Sequence, residues 1–166
     1  NKSIYLRFFL LFKGKSSIMK PAGKRKYMQN KFKELGLSDQ VVASIEKLGY
    51  ENPSDIQNQI IPYILKGNDV IGQAQTGTGK TLAFAASVLT KIDVRGNLVK
   101  AICLVPTREL AIQVSEEFNS LNKDHGFDVL AVYSGTSIET QIRALKRGID
   151  VVVGTPGRVM DLMRRG

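Results

Sequence analysis

Hydrophobic positions along the chain follow two rhythms, and the change falls near Asp69. Before it, "LSDQVVASIEKLG" places Val41, Val42, Ile45 and Leu48 on one face at helical spacing. Ser38 stands where an N-cap belongs and Gly49 where a helix stops. "NPSDIQNQIIPYILKG" predicts a second helix. Ser54 with Gln57 three residues later fits a capping box, and Asp55 in the first turn suits the helix dipole. Pro62 should kink this helix, because it lacks an N–H and crowds the preceding turn.

From Asp69 onward the order is strand, turn, helix, repeated. "DVIG" predicts a strand that leads into a glycine-rich loop, with a helix over Lys80–Leu89 after it. "KAICLV" (Lys100–Val105) is a buried-type strand, followed by "PTREL" and a helix to about Ser120. "DVLAVYS" (Asp128–Ser134) is a third strand, with a helix from about Glu139 to Lys146. "IDVVVG" (Ile149–Gly154) is a fourth, followed by "TPGR" and a short final helix. Strands that are apolar almost throughout and alternate with helices predict an α/β fold, a parallel sheet covered by helices on both faces.

Length and composition agree with that picture. The 166 residues, 43% of them hydrophobic, suit one globular domain with a sizeable core. The net charge of +9 is concentrated at one end: residues 1–31 carry nine lysines and arginines and no acid. The other 15 basic residues are balanced by all 15 acidic ones. Residues 1–30 are therefore read as a basic leader, disordered or non-native, with attraction to nucleic acid or anionic lipid as the functional alternative. Its apolar stretch Ile4–Phe12 is far shorter than a membrane-spanning helix and lacks a small-residue cleavage site. Met28 is a candidate natural start. A single cysteine, Cys103, excludes an internal disulfide framework and suits a reducing cytoplasm. A single histidine, His125, excludes a histidine metal cluster or a histidine-based triad from these residues.

The loop "AQTGTGKT", Ala74 to Thr81, carries the clearest chemistry. Glycines let backbone N–H groups turn inward, and the following helix aims its positive end at the same place. Lys80 supplies a mobile charge for the outer phosphates of a nucleoside triphosphate, and the Thr81 hydroxyl can face Mg²⁺. Ala74 stands where the strict pattern begins with glycine. "PTREL" and "TPGR" each follow a strand and open a helix, giving free N–H groups, a helix dipole and one arginine. That arrangement suits backbone phosphates rather than bases.

Taken in order, "GYENPSDIQ", "AQTGTGKT", "PTREL" and "TPGR" resemble the motifs of the DEAD-box RNA helicases, over about residues 31–166. The resemblance implies a RecA-like domain that binds ATP with Mg²⁺ and grips one RNA strand by its backbone, independently of sequence. It implies that Gln57 reads adenine, as a side-chain amide can, and that Phe32 stacks on the base with Tyr50 close to the same nucleotide. Ala74, Gln75, Thr76, Gly77, Thr78, Gly79, Lys80 and Thr81 would hold the phosphates, with Lys80 and Thr81 acting in catalysis. Pro106, Thr107 and Arg108, Gly135, and Thr155, Gly157 and Arg158 would line the RNA groove. Two departures from the family pattern stand out: Ser54-Asp55 replaces Thr-Pro, and Ser134-Gly135 replaces a glycine pair. Asp55 brings a negative charge towards the nucleotide and is expected to weaken ATP binding modestly.

The Asp-Glu-Ala-Asp sequence that names the family does not occur; the one adjacent acidic pair is Glu116-Glu117, mid-helix. The resemblance therefore implies a partial RecA-like domain that stops before the Asp-Glu-Ala-Asp strand. The second RecA-like domain would then be a partner in the parent enzyme, and the piece alone would be inactive, with uncovered sheet edges. A non-catalytic module binding ATP and RNA is the alternative reading, and a P-loop kinase or transporter ATPase would leave "PTREL" and "TPGR" without a purpose. A cytoplasmic location with no membrane association completes the expectation.

Overall fold

The structure is a computed structural model and describes residues 31–92, 98–123 and 125–166. The basic leader, including Ile4–Phe12, lies outside the described residues. Seven helices and three strands are described: α1 (Lys31–Glu34), α2 (Asp39–Lys47), α3 (Asp55–Leu65), α4 (Lys80–Lys91), β1 (Ala101–Leu104), α5 (Arg108–Asn122), β2 (Val129–Val132), α6 (Ile138–Lys146), β3 (Val151–Gly154) and α7 (Pro156–Arg164).

Local signals account for the helix ends. Ser38 accepts from the Val41 N–H at 3.4 Å at the start of α2, and Gly49 beyond its end has a φ of +83°. At the start of α3, Gln57 Oε1 accepts the Ser54 N–H at 2.8 Å, the return half of a capping box. This helix runs on through Pro62 to Leu65. Lys91, at the end of α4, donates to the Leu65 carbonyl at 3.2 Å and so closes α3 from a neighbouring helix.

The sheet is parallel, in the order β1-β3-β2, with Ala101 opposite Val151 and Val129 opposite Val151 on the other side. Side chains alternate across it and define two cores. One face sends Ala101, Cys103, Val151 and Val153 into a large cluster with α2, α3, α4 and α5, where Phe84 and Phe118 meet edge to face at 5.4 Å. The other face sends Val132 and Val152 into a smaller cluster with Val159 and Leu162 of α7, flanked by Ile138, Ile142 and Leu145 of α6. Helices on both faces of a parallel sheet are thus present, as the alternating pattern predicts.

One element differs from the sequence expectation, and it bears on a sheet edge. "DVIG" pairs with no strand among the described residues, so the sheet has three strands where the sequence pattern predicts four. Val70 packs on the large core while Ile71 stands 83% exposed, the alternation of a strand without a neighbouring backbone to pair with. Correspondingly, the outer side of β1 carries no strand among the described residues. Its residues Ile102 and Leu104, on the face that covers Val152, are exposed.

Candidate nucleotide and RNA-backbone site

The glycine-rich loop Ala74–Thr81 is held from behind by the start of α3. Ser54 Oγ donates to the Thr78 carbonyl at 2.7 Å, and Gln57 Nε2 donates to the Gly79 carbonyl at 3.1 Å. The approach is close enough that a β-carbon at position 79 would stand 2.2 Å from Gln57 Nε2. Gly77 and Gly79 both have positive φ, +82° and +85°, which glycine adopts without steric cost. Gly79 is also the N-cap of α4 and has no side chain, so the first N–H groups of α4 keep an open, positive end for an anion. Lys80 curls over the loop: its amine donates to the Ala74 carbonyl and, at 2.5 Å, to the Gln75 carbonyl. Thr76 and Gly77 are exposed at the rim, and Thr78, Lys80 and Thr81 are half-buried.

Gln57 is buried, with one amide hydrogen given to Gly79 and one carbonyl lone pair to Ser54. One N–H and one lone pair remain, the pair needed to read an adenine edge. Tyr50 is exposed beyond α2. Phe32 is fully buried in the large core, so a base could stack on it only after its ring is uncovered. Asp55 is exposed in the first turn of α3, where water screens its charge. Among the described residues no three His, Cys, Asp or Glu side chains gather as a metal site. That is no obstacle to Mg²⁺, which in nucleotide sites is held largely by phosphate oxygens and water.

Because the three strands are parallel, the turns into α5, α6 and α7 lie together at the carboxyl ends of the strands. Thr107 caps α5, accepting from the Leu110 N–H at 3.3 Å, and leaves Arg108 exposed at the helix start. Its guanidinium lies over the Tyr133 ring, 4.9 Å from the centroid. A β-carbon at Gly135 would come within 3.5 Å of Arg108 Nη1, and Gly135 has a φ of +93°. At the third turn, Thr155 begins α7 without a side-chain cap, Pro156 fills its first position, and a β-carbon at Gly157 would meet nothing within 4 Å. The N–H groups of Gly157 and Arg158 therefore face open space at a positive helix end. Arg158 donates through both terminal nitrogens to the Thr136 carbonyl at 3.3 Å, and through Nη1 to Gln141 Oε1 at 3.1 Å. Arg108, Gly135 and Arg158 are thus joined through the turn between β2 and α6. Among the described residues no hydrogen bond joins the loop Ala74–Thr81 to them; α4 and α5, which follow the two regions, meet through Phe84 and Phe118.

Sequence reasoning missed two residues that organise these turns, Tyr133 under Arg108 and Gln141; it named Thr78 but not its bond to Ser54. A signal for Gln141 was present. It occupies an inward position of α6, in the stripe Ile138, Gln141, Ile142, Leu145, where an apolar residue would ordinarily stand.

The chain is similar to known proteins over most of its length. The chain is 52% identical over 135 residues to the ATP-dependent RNA helicase CshA of Listeria monocytogenes, covering 81% of this chain and 26% of that protein. It is 53% identical to the DEAD-box ATP-dependent RNA helicase CshA of Streptococcus pneumoniae, over 81% of this chain and 26% of that one. The chain spans about a quarter of the length of these relatives. Among solved structures, a DEAD box protein from the hyperthermophile Methanococcus jannaschii matches with a TM-score of 0.75 and 42% identity, over 82% of this chain and 37% of its own. A hypothetical ATP-dependent RNA helicase from Sulfolobus tokodaii matches with a TM-score of 0.71 and 33% identity, over 78% and 37%. The DEAD/DEAH box helicase profile matches residues 54–166, from the Ser54 latch through the last turn, and the chain belongs to that family.

Proposed function

We propose that this chain is the N-terminal part of the first RecA-like domain of an ATP-dependent RNA helicase. It would bind ATP at the Ser54–Gln57 and Ala74–Thr81 segments and RNA backbone at the turns before α5, α6 and α7. The observation that carries the reading is the double hydrogen bond from Ser54 and Gln57 onto the carbonyls of Thr78 and Gly79. A glutamine that can address adenine is thereby fixed to the loop that can address the phosphates.

In this reading the N–H groups around Gly77–Thr81 cradle the phosphates. The Lys80 amine leaves the Ala74 and Gln75 carbonyls for the outer phosphate oxygens. The Thr81 hydroxyl would help to hold Mg²⁺, which would supply charge neutralisation at the phosphates. Tyr50 lies against the nucleotide, and Phe32 does so once its ring is uncovered. Pro106, Thr107, Arg108, Gly135, Thr155, Gly157 and Arg158 hold the RNA strand through phosphates and sugars, without reading its bases. In the intact protein, ATP binding draws a second RecA-like domain onto the RNA, strains a short duplex, and hydrolysis releases it. A cytoplasmic location is supported by the lone unpaired Cys103. Among the described residues no helix is long and apolar enough to cross a membrane.

RNA-stimulated ATP turnover by the intact protein tests the proposal. Lys80→Ala should abolish it. Arg108→Ala with Arg158→Ala should weaken RNA binding and lower its salt dependence, by about 0.7 in the log–log slope for each phosphate of a single strand that is no longer neutralised. Turnover that persists unchanged in Lys80→Ala would refute it.

A further inference from the structure

One buried amide connects the two arginines assigned to RNA. Gln141, on α6, is 6% exposed, and its amide is well employed. Nε2 donates to the Tyr133 carbonyl at 3.1 Å and to Thr136 Oγ1 at 2.7 Å, and Oε1 accepts from Arg158 Nη1 at 3.1 Å. It therefore clasps both ends of the β2–α6 turn and one arginine. The other arginine reaches the same turn through the ring of Tyr133.

The hydrogen-bonding capacity of each side chain restricts what could do this. A glutamate would keep an acceptor for Arg158 but lose both donors to the turn, and a lysine would lose the acceptor. The arginines are held without being used up. Arg158 spends both hydrogens of Nη1 and one of Nη2 on Gln141 and Thr136, leaving Nε–H and one Nη2 hydrogen. Arg108 is held by its flat face on Tyr133, which leaves the N–H edges of the fork free. Side chains ordered before a ligand arrives lose less rotamer freedom on binding.

We infer that Gln141 is a positioning residue that sets Arg108 and Arg158 at a fixed spacing for the backbone phosphates of one RNA strand. It touches no RNA and acts through the β2–α6 turn and the two guanidinium groups. The inference rests on the RNA reading of these turns and deepens it.

The test uses the intact protein, with anisotropy of a short fluorescein-labelled oligouridylate for RNA and fluorescence of a methylanthraniloyl-ATP for nucleotide. Gln141→Leu keeps side-chain volume on an apolar stripe and removes every hydrogen bond. It should weaken RNA binding about tenfold, the scale of one charge-assisted hydrogen bond, while nucleotide affinity stays within about twofold. Gln141→Glu, which holds Arg158 but releases the turn, should also weaken RNA binding. In an Arg108→Ala, Arg158→Ala background, Gln141→Leu should cost nothing further, since residues acting as one unit are not additive. RNA affinity unchanged in Gln141→Leu, an equal loss of nucleotide affinity, or a full additional loss in the arginine-free background would each overturn the inference. If the arginine-free protein itself binds RNA as the wild type does, the RNA reading of the turns fails first, and the inference with it.

Discussion

The side-chain amide of Gln57 lies so close to the backbone of Gly79 that no side chain fits between them: Nε2 is 3.1 Å from the carbonyl oxygen and would be 2.2 Å from a β-carbon. Gly79 also has a φ of +85°, and it caps α4. Gly79→Ala should therefore push Gln57 off the loop and strain the cap, lowering nucleotide affinity by more than tenfold, from a combined cost of about 2–3 kcal/mol. Gly77→Ala, with similar φ but open space around it, should cost less. Titration with a fluorescent ATP analogue would rank the two; equal losses would count against the latch.

Gly154, at the end of β3, is enclosed for a different reason. A β-carbon there would stand 2.3 Å from Val132 Cγ2 and 2.7 Å from Val159 Cγ2. Gly154→Ala overpacks the small cluster and should lower stability by about 1–3 kcal/mol, read as a fall in the urea midpoint at constant slope.

Asp150 ties the starts of the three strands together. Its carboxylate meets Lys100 at 2.6 Å and accepts the Asp128 N–H at 2.9 Å, and its carbonyl accepts the Ala101 N–H at 3.1 Å. The carboxylate is 4% exposed. Asp150→Ala leaves the Asp128 N–H unpaired and Lys100 without its counter-charge, and should cost about 3 kcal/mol. A melting temperature unaltered by the change would show these bonds to be idle.

Cys103 lies in the large core, and burial pushes its thiol up to about 12. The folded protein holds this proton more tightly than the unfolded chain. The resulting stability is complete below the unfolded thiol's ordinary value and is lost as pH rises through about 12. At about pH 8 the native protein should react with iodoacetamide far more slowly than the urea-unfolded chain, because the thiolate is the nucleophile. Equal rates would mean that β1 opens freely.

Ile102 and Leu104 on β1 and Met160 and Met163 on α7 are exposed. Residues 1–166 expressed alone should self-associate, because exposed apolar surface and an unpaired strand edge both favour it. Sedimentation velocity over a concentration series would reveal it. A sharp, cooperative, concentration-independent melt would argue against it.

Much of this is legible in the sequence, for identifiable reasons. Ser38, Ser54 and Thr107 begin helices because short polar side chains satisfy orphan N–H groups locally, so a local pattern suffices to find them. The burial of β3 on both faces is equally local, written in three consecutive valines. The strand expected at "DVIG" does not form, because a strand is a relation between backbones and composition cannot supply the neighbour. The particular neighbours that bury Phe32 and the groups that Gln141 clasps are hidden for the same reason. Each depends on which residues the fold brings together, and a residue type announces its capacities without naming its neighbours.

The two faces of the sheet are unequally clad, and this orders how the molecule comes apart. The face under α6 and α7 rests on five buried side chains, whereas the opposite face is bound into a far larger assembly. Amides of α6 and α7 should trade hydrogen for deuterium ahead of those in α4, so the arginine-bearing layer can loosen while the layer beneath the glycine-rich loop stays shut.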